Sequence, residues 1–270
     1  MNVVEVTHGD SPVVLAQPHG GTFFPADLMS RLNAGGRALS DTDWHITRLY
    51  DGLLEGATVV RSNVHRYVID ANRDPSGGSL YPGQNTTTLC PVTDFDGRDI
   101  WQAGQAPSQD EVEARRVAYH APYHDAVSEE LQRVIARHGV AILYDCHSIR
   151  SEISFLFEGV LPVFSIGTNE GVTCAADIER LVKSLCDAAA PNDTVLNGRF
   201  KGGWTTRHYG QPHNGVHAIQ MELAQRAYMD EAAPWTYQQG RAATLRPVLA
   251  EILNALDQIA RSGALTQEGI

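Results

Sequence analysis

Apolar positions along the chain fall into short blocks whose spacing switches between that of strands and that of helices. Residues 13–17 form a mainly apolar run stopped by Pro18-His19-Gly20-Gly21, the pattern of a strand followed by a sharp turn. Residues 41–55 carry Trp44, Leu49, Leu53 and Leu54 as an apolar stripe at helical spacing. Strands are expected at 57–61 and 66–70, followed by a Gly/Pro/Thr-rich stretch over 71–107. A loop that long in a compact protein usually serves a function or moves, and closure over a ligand is one use for it. Residues 109–138 read as helical, with a break near Pro122 and a stop at Gly139. Val140-Ala141-Ile142-Leu143-Tyr144 is almost wholly apolar, as suits a strand covered on both faces in a parallel sheet, and it runs out in Asp145-Cys146-His147-Ser148. Strand signals at 161–166 and 218–223 alternate with helical ones at 174–189 and 236–261. The alternation predicts an α/β fold in one domain, residues 1–270, around a mostly or partly parallel sheet.

Charge narrows the list of partners. The 270 residues carry 21 Lys and Arg against 32 Asp and Glu, a formal net charge of −11. Such a balance argues against nucleic acid or an anionic membrane as a partner, since both require a cationic footprint. It also means that an anionic ligand would need a local group of cations set against the bulk charge. No basic segment followed by an apolar stretch opens the chain and no 18-residue apolar run occurs in it, so a cytoplasmic protein is expected. Cys90, Cys146, Cys174 and Cys186 form no C-x-x-C pair and are expected to be reduced thiols. Serine-hydrolase elbow, Walker, G-x-G-x-x-G and H-E-x-x-H patterns are absent from the sequence.

Two apolar strands are expected to end in His19 and His147, and in open α/β sheets the ligand crevice lies beyond the carboxyl ends of the strands. A carboxylate from Ser40-Asp41-Thr42-Asp43 could join the two imidazoles, giving the two-histidine, one-carboxylate set of a catalytic zinc. The same four residues also fit a helix capping box, which would by itself account for Asp43. Glu222 shares a strand face with Ala218 and Gln220; it is either a general base in a wet cleft or a salt-bridged strand-end residue. Cations gather at Arg66 and Arg73, at Arg150, and at Arg199, Lys201 and Arg207. Arginine offers a planar fork for a carboxylate, although each of these could equally pair with one of the many acidic residues.

Taken in order, Pro18-His19-Gly20-Gly21, Asp41-Thr42-Asp43-Trp44, Asp70-Ala71-Asn72-Arg73-Asp74-Pro75, Asp145-Cys146-His147-Ser148-Ile149-Arg150-Ser151, Asn197-Gly198-Arg199-Phe200-Lys201-Gly202-Gly203 and His217-Ala218-Ile219-Gln220-Met221-Glu222 resemble the N-formylglutamate amidohydrolases of histidine degradation. That family looks like a distant relative of the zinc carboxypeptidases and aspartoacylase. The resemblance implies a three-layer α/β/α fold with a mixed, mostly parallel central sheet. It implies one divalent metal ion, Zn2+, at His19, Asp43 and His147, with Glu222 as general base. Since Thr22 stands where the carboxypeptidase pattern has its glutamate, the middle ligand is the open one: Asp43 is expected, with Asp41 as the alternative. It further implies that Asn72 and Arg73 hold a substrate carboxylate, that Arg66 polarises the scissile carbonyl, and that Arg150, Lys201 or Arg207 takes the second carboxylate. The expected reaction is hydrolysis of N-formyl-L-glutamate to formate and L-glutamate by water activated at the metal. The expected partner is therefore a small anionic molecule. A related zinc amidohydrolase for N-acetyl or N-succinyl acidic amino acids, or a non-catalytic binder of an acidic metabolite, are the alternatives.

Overall fold

A computed structural model describes residues 2–79 and 83–265. Its centre is a seven-stranded sheet of β1 (Val4–Thr7), β2 (Val13–Gln17), β3 (Thr58–Ser62), β4 (Ala141–Ile149), β5 (Phe164–Gly167), β6 (Thr194–Leu196) and β7 (Val216–Ala224), in the order β1-β3-β2-β4-β7-β5-β6. β3, β2, β4 and β7 run parallel to one another. β1 pairs antiparallel with β3 and β5 antiparallel with β7, so the sheet is mixed with a parallel centre. β2 and β4 are buried at every position, as strands covered on both faces must be.

The helices are α1 (Ala26–Arg31), α2 (Ala34–Arg37), α3 (Ile46–Tyr50), α4 (Gln109–Arg115), α5 (Ala121–His138), α6 (Ala176–Ala189), α7 (Trp204–Tyr209) and α8 (Gln239–Arg261). On one face of the sheet, Tyr123, Val127, Leu131 and Val134 of α5 pack on Val14, Ala16, Val60, Leu143 and Ala218. On the other, α3, α6 and α8 bury Leu49, Val182, Leu249 and Leu253 against Leu15, Tyr144, Ile219 and Met221. The result is three α/β/α layers. Among the described residues no helix is long and apolar enough to cross a membrane. All four cysteines are buried and unpaired.

Three sequence expectations are corrected. Residues 66–70 form turns rather than a strand, although Tyr67, Val68 and Ile69 are buried. The helix expected over 41–55 is confined to Ile46–Tyr50, since residues 41–45 are taken up by the site described below and Gly52 and Gly56 have positive φ. Its N-cap is His45, at φ 61°, so Ser40 and Asp43 make no capping box there. His147 lies inside β4, which runs on to Ile149, rather than beyond its end. The helical stretch 109–138 is nearly continuous: α4 and α5 are joined by a π turn over Arg116–His120, with Pro122 in the first turn of α5. Part of the 71–107 loop, residues 80–82, lies outside the described residues.

Candidate active site

The parallel centre places the carboxyl ends of β2, β4 and β7 side by side, and the site is built there. His19 follows β2 by two residues. Glu222 of β7 stands directly across from His147 of β4, and Gln220 across from Asp145. Asp43 is carried into place by the chain after Gly20-Gly21: its backbone N–H donates to the carbonyl of His19 at 3.2 Å. Only glycine serves at position 21, where a Cβ would lie 2.3 Å from the backbone carbonyl carbon of Asn63.

Three acceptor atoms converge. His19 Nδ1 and His147 Nδ1 are 3.2 Å apart, and Asp43 Oδ2 lies 4.0 Å from the first and 3.4 Å from the second. The tautomers follow from the outer partners. His19 Nε2 donates to Asp70 Oδ1 at 2.6 Å, which leaves Nδ1 with its lone pair facing inward. His147 Nε2 lies 3.0 Å from Asp145 Oδ1, and the Asn72 amide 2.9 Å from the same nitrogen. Once His147 gives up its proton, two imidazole lone pairs and a carboxylate oxygen can face one point, where a cation would sit. A tetrahedral zinc with ligand bonds near 2.0–2.1 Å separates its ligand atoms by about 3.3 Å, close to what is seen. Carboxylates on the far side of both imidazoles complete the usual second layer of such a site. Among the described residues, His19, Asp43 and His147 form the one group of this kind.

The electrostatics agree. Burial pushes the Asp43 carboxyl up, yet Arg66 and the two imidazoles hold it below the usual range; Arg66 Nη2 donates to Asp43 Oδ1 at 2.6 Å. Asp70 is likewise driven well below the usual carboxylate range, against its burial, by Arg73, His19 and Arg66. Burial would depress His147, but Asp145 and Asp43 raise it well above the ordinary imidazole value, so it holds a proton where no metal competes. Glu222 is pushed up to about 7 by burial, partly offset by His147. Gln220 holds its carboxylate by donating to Oε2 at 3.1 Å and itself accepts from the Gly203 N–H at 2.7 Å.

These groups open onto a crevice whose wall includes Arg66, Asn72, Arg73, Phe95, Arg199 and Phe200. Arg73 donates to Thr87, from Nε to its carbonyl at 2.9 Å and from Nη2 to its hydroxyl at 3.0 Å. Arg199 donates to the carbonyls of Leu156 and Asn85 at 2.9 and 2.8 Å. Asn72 Oδ1 accepts the Thr205 N–H at 2.8 Å.

Other sequence-derived candidates are not brought here. Asp41 accepts from Tyr67 Oη at 2.7 Å and from the Phe95 N–H at 2.8 Å, away from the imidazoles, and burial raises its carboxyl to about 6. Asp43 rather than Asp41 is therefore the carboxylate of the cluster. Arg150 does not line the crevice but lies against Asp96 and Asp41, at 3.1 and 3.6 Å. Lys201 pairs with Glu170, and Arg207 donates to the Gly202 carbonyl; neither is on the crevice wall. Their charges are drawn to nearer acceptors. Asp70, Asp145 and Gln220 were given no role by the sequence reading. Asp145 could have been found from its spacing, two residues before His147 on one strand face.

A family model described as N-formylglutamate amidohydrolase matches residues 11–229. An N-formylglutamate deformylase of Pseudomonas aeruginosa is 45% identical over 255 residues, 94% of this chain and 96% of that protein. One from Pseudomonas putida is 41% identical over 94% of this chain and 95% of its own. A crystal structure of N-formylglutamate amidohydrolase from Ralstonia eutropha JMP134 superimposes with a TM-score of 0.81 at 22% identity, over 97% of this chain and all of that one, and supports the fold. The chain belongs to the N-formylglutamate amidohydrolase family.

Proposed function

We propose that this protein hydrolyses the amide bond of N-formyl-L-glutamate, releasing formate and L-glutamate as the last step of a histidine-degradation route. The observation that carries the reading is the convergence of His19 Nδ1, His147 Nδ1 and Asp43 Oδ2 in a crevice that also presents Glu222 and three arginines. The names of the relatives supply the substrate. His19, Asp43 and His147 would hold a divalent cation, and their donor set suits zinc. When bound, such an ion acidifies water and polarises a carbonyl.

The chain supplies the remainder. Glu222 takes a proton from the water whose oxygen attacks the formyl carbon, then gives it to the amide nitrogen as the C–N bond breaks, so that one carboxylate serves first as base and then as acid. Its elevated position near 7 suits both halves of that exchange. Arg66 is fixed by Asp43, lies with its guanidinium 4.9 Å from the centre of the Phe95 ring, and has a buried Nε with no acceptor among the described residues. It is the donor for the charge that develops on the carbonyl oxygen, a role whose loss costs roughly 3 to 4 kcal/mol in comparable sites. Arg73 with Asn72 takes one substrate carboxylate and Arg199 the other. Formyl is a very small acyl group, so selectivity rests on the dicarboxylate.

The test is turnover of N-formyl-L-glutamate by zinc-loaded protein beside N-acetyl and N-succinyl glutamate and aspartate, with and without a chelator. Formate release confined to the formyl substrate and abolished by chelation is expected. Preference for another acyl group overturns the substrate, equal rates with chelator overturn the metal, and binding without turnover of any of them makes the protein a binder.

A further inference from the structure

Asn72 and Arg73 reach the crevice from a short strap, residues 71–73, that belongs to no helix or strand. A strap of bare backbone holds a side chain in place only if its own peptide groups are fixed. Two histidines outside the site do this. His124 Nε2 lies 2.7 Å from the carbonyl oxygen of Ala71, and His120 Nε2 lies 3.1 Å from that of Arg73. A carbonyl can only accept, so both imidazoles carry their proton on Nε2 and donate. The carbonyl between them, that of Asn72, accepts from Arg73 Nη1 at 3.3 Å.

Both rings are buried, which lowers their basicity and keeps them neutral, His124 with a pKa of about 3. They sit 4.4 Å apart, and Trp204, the first residue of α7, packs at 5.5 Å from His120 and 4.5 Å from His124. The following residue, Thr205, supplies the N–H that holds Asn72 Oδ1. The same wedge thus grips the strap from behind and orients its amide in front.

The π turn explains how the two rings arrive. His120 is its last residue, and the Ala121 N–H reaches back five residues to the carbonyl of Arg116. One extra residue in a helix turns everything after it by about 100°. Before the turn, Arg115 donates to the carbonyl of Val68, on the stretch leading into the strap; after it, Tyr123 and Val127 face the sheet. Without the extra residue, those two faces could not both be met while His120 and His124 point at the strap. π turns inside α-helices recur at functional sites.

We propose that His120 and His124, delivered by this π turn, are positioning residues that clamp the 71–73 strap and thereby set Asn72 and Arg73 for recognition of a substrate carboxylate; this rests on the reading of the crevice as an N-formylglutamate site. His120→Phe and His124→Phe keep a ring and remove the donor, whereas His120→Gln and His124→Gln keep an N–H. In the Phe variants, assayed at saturating zinc because Asn72 also touches His147, KM for N-formyl-L-glutamate is expected to rise at least tenfold with kcat within about threefold of wild type. The backbone amides of Asn72 and Arg73 should exchange with deuterium at least tenfold faster. The Gln variants should recover most of both effects. Unchanged KM and exchange in the Phe variants, or equal impairment of Phe and Gln variants, overturns the clamp. If one Phe variant does not fold, the pair at the other position decides. Should the wild-type protein fail to hydrolyse N-formyl-L-glutamate, the functional reading falls, while exchange at Asn72 and Arg73 still decides whether the histidines hold the strap.

Discussion

Asp43 has a different partner on each oxygen: Arg66 on Oδ1, and the Ser148 N–H on Oδ2 at 3.0 Å, beside the imidazoles. Asp43→Asn should therefore abolish tight zinc binding while Asp41→Asn leaves it intact, as read by metal titration. Asp70→Asn removes the outer partner of His19 and should weaken zinc affinity about 10- to 100-fold. Because His147 keeps a proton in the absence of metal, loading should release about one proton, measurable by calorimetry in buffers of different ionisation enthalpy, and affinity should rise with pH. Glu222→Gln should bind zinc normally and lose about 10²- to 10⁴-fold in kcat. Glu222 must start as a carboxylate, so kcat/KM falls on the acid side of a limb lying at or below about 7, a bound cation lowering it further. Stability has its own acid limb. His65 and His124 are buried with pKa values of about 3, against about 6.5 unfolded, so the unfolded chain binds more protons between those values and stability drops as pH falls through that window. From pH 6.5 to 5 each costs about 2 kcal/mol, with Asp41, raised to about 6, restoring about 1 and Glu222, raised to about 7, about 2. Urea unfolding at the two pH values measures this, and His124→Gln should flatten it. His19, His147 and Glu222 were legible in the sequence because each closes or follows an apolar run. Arg66 and Arg73 were legible too and line the crevice, whereas Arg150, Lys201 and Arg207 do not, since an arginine's partner depends on which carboxylate the fold brings nearest, as Arg150 and Asp96 show.

Elements were legible where one face repeats and obscure where the site overrides local preference. The apolar runs of β2, β4 and β7 declare themselves. Residues 66–70 mimic a strand because their apolar side chains are buried, but they turn so that Arg66 meets Asp43 and Asp70 meets His19. The 41–55 pattern mimics a long helix for a similar reason: its first residues serve the site instead of a helical turn. Start-point chemistry matters at α7 as well. Gly203 is its N-cap, and a Cβ there would fall 2.2 Å from the Asn72 amide nitrogen. Asn72 cannot yield without releasing His147 or Thr205. Gly203→Ala should thus keep the circular-dichroism spectrum and lose about 10- to 100-fold in kcat/KM, the scale of a misplacement near 1 Å.

Over the whole molecule, the net charge of −11 opposes a dianionic substrate until it reaches the three guanidiniums of the crevice. Raising ionic strength from about 10 to 150 mM shortens the screening length from about 30 to 8 Å, and kcat/KM should rise severalfold at fixed zinc. A cation that binds only the folded chain also stabilises it: zinc at about 100 times its Kd should add about 2.7 kcal/mol, and a thermal scan with and without chelator should show the difference. The order of the ligands along the chain sets a schedule for all of this. His19 leaves the ribosome 128 residues before His147, and Glu222 follows later still. β2 must also wait for β4, its parallel neighbour, before the first imidazole has a second to face. A nascent chain halted short of β4 owns one imidazole and one carboxylate of the cluster, too few to retain a metal ion against cellular competitors. An ion held by this cluster could not guide the early steps of synthesis and would bind only once β4 is in place.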